Sequence, residues 1–415
     1  MVLRIGGVLV GVALFAGLAS LRVPEPALSG AEGCPLWCQA LLANHEGHLS
    51  AARRAGSGTR RNAATLREAA DRAGLLIGAA VRPEHLSEPL YAETLAREFN
   101  LVEPEDAMKW EVLRPDAQSF DFTQADRIAD FAAQHKMKVR GHTLVWHRQN
   151  PQWLTEGKYT AAELARLLEQ HIKHVVGHYR GKVFAWDVVN EAFDELHPSQ
   201  LRSTIWLDQP GIGLAENSAA SSNPDPSKLG ARSLKQRFSY IEQCFRWAHE
   251  ADPQALLFYN EAEAETLGPK SDAIYAMVQD FRKRGVPIDG VGFQLHIGNL
   301  HPDIASISAN IGRFTALGVQ VHITEMDVSL PVDASGNASS EDLQRQAGIY
   351  RQIAAACLSH PGCTAIQTWG FTDKYSWIGS HSKKTRGAAL PFDREYRAKP
   401  AYDALRSALE QMERR

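Results

Sequence analysis

The chain has 415 residues, 44% of them hydrophobic and 22% charged, a balance that excludes a disordered or low-complexity protein. Its net charge of −3 excludes nucleic acid as the main partner, because neutralising phosphates takes a basic face. The length suits one large domain with short additions.

At the N-terminus Arg4 precedes an apolar stretch from Ile5 to Leu21. A basic head on an apolar run reads as a secretory signal within residues 1–29, with small residues at Gly17 and Ala19, or at Ala27 and Ser29, for cleavage. An uncleaved membrane anchor is the alternative, because the stretch is borderline in length for a span. Either way the expected location is outside the cytoplasm, secreted or periplasmic. Residues 30–64 are rich in Ala, Gly, Ser and Arg without an apolar period, and read as a tether.

From residue 65 to residue 415 the patterning is continuous. Strand-like apolar runs occur at 75–81, 99–102, 138–144, 183–189, 255–259, 290–295, 319–323 and 364–369. Helical patterns such as 125–134 and 163–172 lie between them. Eight strands alternating with helices predict a single (β/α)8 barrel of the α/β class. A doubly wound sheet would carry a glycine-rich phosphate loop after an early strand, and the sequence has none. Segments 213–233 and 331–341 follow strands four and seven as insertions, and are expected on the face where barrel loops shape specificity.

Glu191 closes the run that starts at Phe184, and Glu325 closes the run that starts at Val319. A carboxylate at the C-terminal end of a buried parallel strand sits where barrels keep their chemistry. Two such carboxylates facing one pocket equip a glycosidase: one protonates the leaving oxygen, the other attacks or activates water. Other strand ends carry polar or aromatic groups: Glu105, Asp106 and Lys109 after strand two, His142, Trp146 and Gln149 after strand three, and Asn190 beside Glu191. Gln294 and His296 follow strand six, and Trp369 and Trp377 follow strand eight. A single buried His or Gln is more often a satisfied core group; their shared place at strand ends argues for one mouth. Asp327, two residues past Glu325, points to the same face and reads as support for the histidines.

His171, His174 and His178 fall on one helix face; with no carboxylate at ligand spacing they read as a solvated face, not a metal site. No cysteine spacing suggests zinc. Cys357 and Cys363 flank a turn and are a plausible disulfide in an oxidising compartment. Cys34 and Cys38 lie in the N-terminal segment, and Cys244 reads as a buried apolar residue of a helix.

The segments Gly141-His142-Thr-Leu-Val-Trp146-His147, Asp187-Val-Val-Asn190-Glu191-Ala, Thr324-Glu325-Met-Asp327 and Trp369-Gly-Phe-Thr-Asp373-Lys-Tyr-Ser-Trp377 follow one another in this order along the chain. Together they resemble the family 10 glycoside hydrolases, the endo-β-1,4-xylanases, from about residue 65 to Lys399-Pro-Ala-Tyr402 near the end. The pair Cys357 and Cys363 also resembles a disulfide of bacterial members. The resemblance implies xylan or a related wall polysaccharide as partner, no cofactor, no metal, and a monomer. It implies Glu191 as general acid/base and Glu325 as nucleophile of a retaining double displacement, with carboxyl groups about 5–5.5 Å apart. Glu191 is then expected to have a raised pKa from burial and the neighbouring Glu325 charge. His296 would hold Glu325, Asn190 would bind the sugar 2-hydroxyl, and Glu105, Lys109, His142 and Gln149 would grip the non-reducing-side sugars. Trp146, Trp369 and Trp377 would wall the cleft and disfavour a hydroxymethyl group.

The chain departs from the family pattern at three places. Asp106 stands where the family usually has Asn, and an ionised Asp cannot donate a hydrogen bond. Ala262 stands where an aromatic platform is usual on the leaving-group side. The 213–233 insertion is the third. Asp106 and Ala262 keep open the same mechanism on cellulose or mixed-linkage glucan. A non-catalytic carbohydrate-binding barrel is the other alternative, and the presence of both glutamates with Asn190 and His296 argues against it.

Overall fold

Eight parallel strands close on themselves in the computed structural model, which describes residues 64–208, 212 and 238–412. The expected signal and tether, Cys34, Cys38 and the 213–233 insertion lie outside the described residues. The strands are β1 (Leu76–Val81), β2 (Leu101–Pro104), β3 (Lys138–Gly141), β4 (Ala185–Asn190), β5 (Leu256–Glu261), β6 (Gly290–Phe293), β7 (Gln320–Val328) and β8 (Cys363–Thr368). Each pairs with the next in parallel, and β1 returns to β8 with Leu76 opposite Ala365. This is the predicted (β/α)8 barrel. Strand β7 runs further than its apolar stretch, through Thr324, Glu325 and Asp327 to Val328.

Helices form where the sequence supplies amphipathic periods and caps. Leu66–Ala73 and Ala161–His178 each start on a capping box, Thr65 with Glu68 and Thr160 with Glu163. The last helix, Pro400–Met412, packs against both Leu66–Ala73 and Ser340–Leu358, so the ends of the barrel domain are tied to each other. No helix among the described residues is long and apolar enough to cross a membrane.

The barrel interior is not wholly apolar. Arg140 on β3 is fully buried, donates to both carboxylate oxygens of Asp187 on β4, and lies 4.6 Å from the Phe258 ring centroid. His322 on β7 takes Arg140 Nη1 at 2.8 Å on its Nδ1. Burial, then the Arg140 charge, holds His322 well below its usual pKa, so it serves as a neutral acceptor.

On Ala161–His178 the expectation of a solvated histidine face holds for His174 and His178 and fails for His171. His171 is fully buried and stacks on Trp110 at 3.7 Å, while the exposed His174 and His178 stack on Phe120 at 4.2 Å and Phe122 at 3.8 Å. An imidazole offers a flat apolar face to a ring, and spacing along a helix does not distinguish that use from solvation. Cys357 and Cys363 are bonded, joining the end of Ser340–Leu358 to the start of β8, and Cys244 is buried and free. After β7, Leu330–Pro331 pairs antiparallel with Arg386–Gly387, which seats the 331–341 insertion on the C-terminal side of the barrel.

Candidate active site

The C-terminal ends of β4, β6 and β7 bring two carboxylates into one hydrogen-bonded mouth. Glu191 follows the last residue of β4 and Glu325 lies within β7. Gln294, just past β6, donates from Nε2 to Glu191 Oε1 at 2.9 Å and to Asn190 Oδ1 at 3.2 Å. Asn260 on β5 donates from Nδ2 to Glu325 Oε1 at 2.7 Å and to the same Asn190 Oδ1 at 3.0 Å. Asn190 therefore bridges the two carboxylates through two amides.

Glu191 sits at φ 53°, in the left-handed region that costs a non-glycine residue on the order of 1–3 kcal/mol. Trp146 donates its indole N–H to Glu191 Oε2 at 2.8 Å. Burial pushes the Glu191 carboxyl up, but the hydrogen bonds from Gln294 and Trp146 outweigh it, and the net pKa lies below the usual carboxylate value. This corrects the expectation of a raised pKa: the net shift of Glu191 is downward. Two donors aimed at a carboxylate favour its charged form. His147, 3.8 Å from Glu191 Oε2, is pushed down to about 4 by burial and then by Arg202, so it is neutral at neutral pH.

Glu325 is nearly buried, with 4% of its surface exposed. His296 Nε2 lies 3.2 Å from Glu325 Oε2 and its Nδ1 lies 3.0 Å from Asp327 Oδ2. Burial lowers the His296 pKa, but Asp327 and then Glu325 raise it well above the usual value. An imidazolium held between two carboxylates orients Glu325 through a charge-assisted hydrogen bond. Asp327 also accepts the Trp377 indole N–H at 2.9 Å, so one side chain places both the histidine and a wall of the cleft.

The residues expected to grip sugars converge on the same mouth. Lys109 Nζ stands over the Trp146 ring at 4.7 Å and the Trp369 ring at 5.7 Å, and 3.3 Å from Asp106 Oδ1. Gln149 donates to Asp106 Oδ1 at 3.1 Å. Trp146, Trp369 and Trp377 are each partly exposed, as a ligand-facing wall requires. His142 presents its ring edge to Trp369 at 5.4 Å and directs Nδ1 at Asp187 Oδ2, 3.0 Å away.

Sequence reasoning missed Arg82. It follows β1, and its Nη2 reaches Glu105 Oε1 at 2.8 Å and Asp106 Oδ2 at 2.9 Å. Asp106 is pushed up by burial and pulled down further by Lys109, Gln149 and Arg82, so it is an anion. Glu105 is raised, burial outweighing Arg82. Also missed was the charge layer below the mouth. Glu103, His142 and Asp187 place ligand-type atoms within 4.8 Å of one another. Arg140 supplies the cation among them, and Gln367 donates to Glu103. Burial and then Asp187 raise Glu103 well above the carboxylate range, whereas Arg140 brings Asp187 below it despite burial. Two carboxyls facing one guanidinium divide in this way. Ala262 presents no ring; its N–H donates to Glu261 at 3.2 Å and its carbonyl accepts Lys270 Nζ at 3.0 Å.

A parallel barrel whose C-terminal mouth holds two bridged carboxylates, sugar-type polar donors and a tryptophan wall is a glycosidase site. The family model described as Glycosyl hydrolase family 10 matches residues 65–227 and 233–408. Endo-1,4-beta-xylanase B of Thermotoga neapolitana is 40% identical over 349 residues, 83% of this chain and 92% of that protein. Native xylanase 10B from Thermotoga maritima matches with a TM-score of 0.74 at 40% identity, covering 85% of this chain and 100% of that one. Xylanase 10B from Thermotoga petrophila in complex with xylobiose matches at 0.75 and 39% identity, covering 85% and 99%. The chain belongs to glycosyl hydrolase family 10.

Proposed function

We propose that this protein is a retaining endo-β-1,4-xylanase with Glu191 as acid/base and Glu325 as nucleophile. The observation that carries the reading is the Gln294–Asn190–Asn260 amide bridge, which joins both carboxylates across one mouth. In the first step Glu325 bonds to the anomeric carbon as the glycosidic C–O bond breaks and the Glu191 proton passes to the leaving oxygen. In the second, water attacks that carbon, Glu191 takes its proton, and Glu325 is released. Glu191 must therefore carry a proton when substrate is bound. A sugar that draws the Gln294 and Trp146 donors to itself, and excludes water, removes the two bonds that favour the anion. The site residues beyond the two glutamates, from Glu105 to Trp377, act in binding and walling the chain.

Reducing-sugar release from glucuronoxylan tests this, with Glu191→Ala and Glu325→Ala alongside and the anomers followed by proton NMR. Release of β-anomers first, and loss of release in both variants, is the expected result. Release from carboxymethylcellulose but not from xylan would overturn the substrate.

Export belongs to the same reading. Its support is Arg4 ahead of the apolar Ile5–Leu21 stretch, together with the Cys357–Cys363 bond, since disulfides persist in oxidising compartments. Fractionating cells that express the full chain checks it: enzyme recovered in the cytosol with an intact residue 1–29 segment would reject it.

A further inference from the structure

The three peptide groups at and after Glu191 are bound along both edges. On one edge β5 accepts in sequence: Glu191 N–H donates to the Asn260 carbonyl at 3.0 Å, Ala192 N–H to Tyr259 Oη at 3.0 Å, and Phe193 N–H to Glu261 Oε2 at 3.2 Å. On the other edge Arg202 takes the carbonyls. Its Nε donates to Glu191 O at 3.4 Å, its backbone N–H to Ala192 O at 2.7 Å, and its Nη2 to Phe193 O at 3.2 Å. A left-handed conformation at a non-glycine residue persists only where its surroundings over-determine it, and these six contacts do so for Glu191.

Among the partners, Glu261 is the one that gathers several donors at once; burial pushes its carboxyl up to about 7, against the pull of Lys270 and the Tyr259 hydroxyl. It is fully buried and does not reach the cleft surface. Its Oε2 accepts the Tyr259 hydroxyl at 2.5 Å as well as Phe193 N–H, and its Oε1 accepts Lys270 Nζ and Ala262 N–H, each at 3.2 Å. All four neighbours are donors. In its ionised form the carboxylate accepts from all four; a glutamine in its place turns an NH2 toward one donor pair. The Tyr259 hydroxyl, fixed as a donor to Glu261, has its lone pairs free for Ala192 N–H.

We propose that Glu261 is a positioning residue for proton transfer: through Phe193 N–H and the Tyr259 hydroxyl it fixes the turn that aims the Glu191 carboxyl at the leaving oxygen. The inference rests on Glu191 being the acid/base. It predicts a defect confined to bonds whose cleavage needs a proton, which a general loss of folding would not produce.

The test measures kcat/KM on xylotetraose and on dinitrophenyl β-xylobioside, whose phenolate leaves unprotonated. Wild type, Glu191→Ala, Glu261→Gln and Tyr259→Phe are compared. Glu191→Ala is expected to lose about a hundredfold or more on xylotetraose and little on the aryl substrate. Glu261→Gln is expected to show the same split at roughly tenfold, and Tyr259→Phe a smaller split of the same sign. Equal loss on both substrates in Glu261→Gln, or no loss, overturns the proposal. If Glu261→Gln does not fold, Tyr259→Phe decides, and absence of a split there overturns it. Equal loss in Glu191→Ala itself would instead remove the acid/base assignment, and the inference with it.

Discussion

The Trp146 indole N–H donates to Glu191 Oε2 at 2.8 Å, so an aromatic residue of the cleft also lowers the pKa of the proposed acid/base. A hydrogen bond to the anion lowers a carboxylic pKa. Phenylalanine keeps a ring but lacks the donor. In Trp146→Phe the Glu191 pKa is expected to rise, and the alkaline limb of kcat/KM to move up by roughly half to one pH unit. The amplitude falls too, because the sugar wall shrinks, but the limb position is read independently of amplitude. A limb that stays in place, or moves down, contradicts the role given to this bond.

Arg82 and Asp106 predict a coupled effect on binding. Asp106 has one oxygen on Arg82 and the other on Lys109 and Gln149. An asparagine at 106 would turn its NH2 toward one of these donors. Asp106→Asn and Arg82→Ala are each expected to raise KM on short xylo-oligosaccharides by roughly three- to fivefold, with kcat little changed. The double variant is expected to fall short of the product, with a coupling below about 1 kcal/mol because both side chains are part exposed. Strict additivity in the cycle would show that the pair does not act together.

The barrel was legible because its strands are buried on both faces and read as apolar runs. The two glutamates were legible because each interrupts such a run at its C-terminal end. The same rule applied to β1 points to Arg82, directly after Val81, yet a single arginine at a strand end reads first as a surface group. Arg140 left a fainter signal: a charge inside β3 matched by Asp187 inside β4, two strands that pair through Arg140 and Ala185. The clamp on Glu191 left none, since it depends on backbone groups and on Arg202, eleven residues away in a loop. The sequence reading of Glu191 as raised also failed for a local reason. Burial was foreseeable, but the Gln294 and Trp146 donors that reverse it come from other strands.

His296 links stability to pH. Its folded pKa is raised, so its contribution is fully present below about pH 6.5 and is lost as pH rises through the folded value. Urea unfolding of wild type and His296→Asn across pH 6 to 10 checks this, using their difference to cancel other groups (roughly the titration range of a raised histidine). The wild-type advantage is expected to be largest at the acid end and to shrink toward the alkaline end. An advantage that grows with pH would mean that His296 is neutral between Glu325 and Asp327.

The disulfide predicts a stability change without a change in chemistry. Cys357 and Cys363 are six apart in sequence and join a helix end to the first residue of β8, on the side of the barrel away from the glutamates. Closing so short a loop restricts the unfolded chain by about 2 kcal/mol on the entropic account. Replacing both cysteines by alanine is therefore expected to lower the unfolding free energy by about that amount and to leave kcat/KM on xylan unchanged. Reductant should reproduce the loss in the wild type and have no further effect on the variant, because the buried Cys244 is the remaining described cysteine and has no partner to lose. If reductant destabilised the variant equally, the bond responsible would lie elsewhere in the chain.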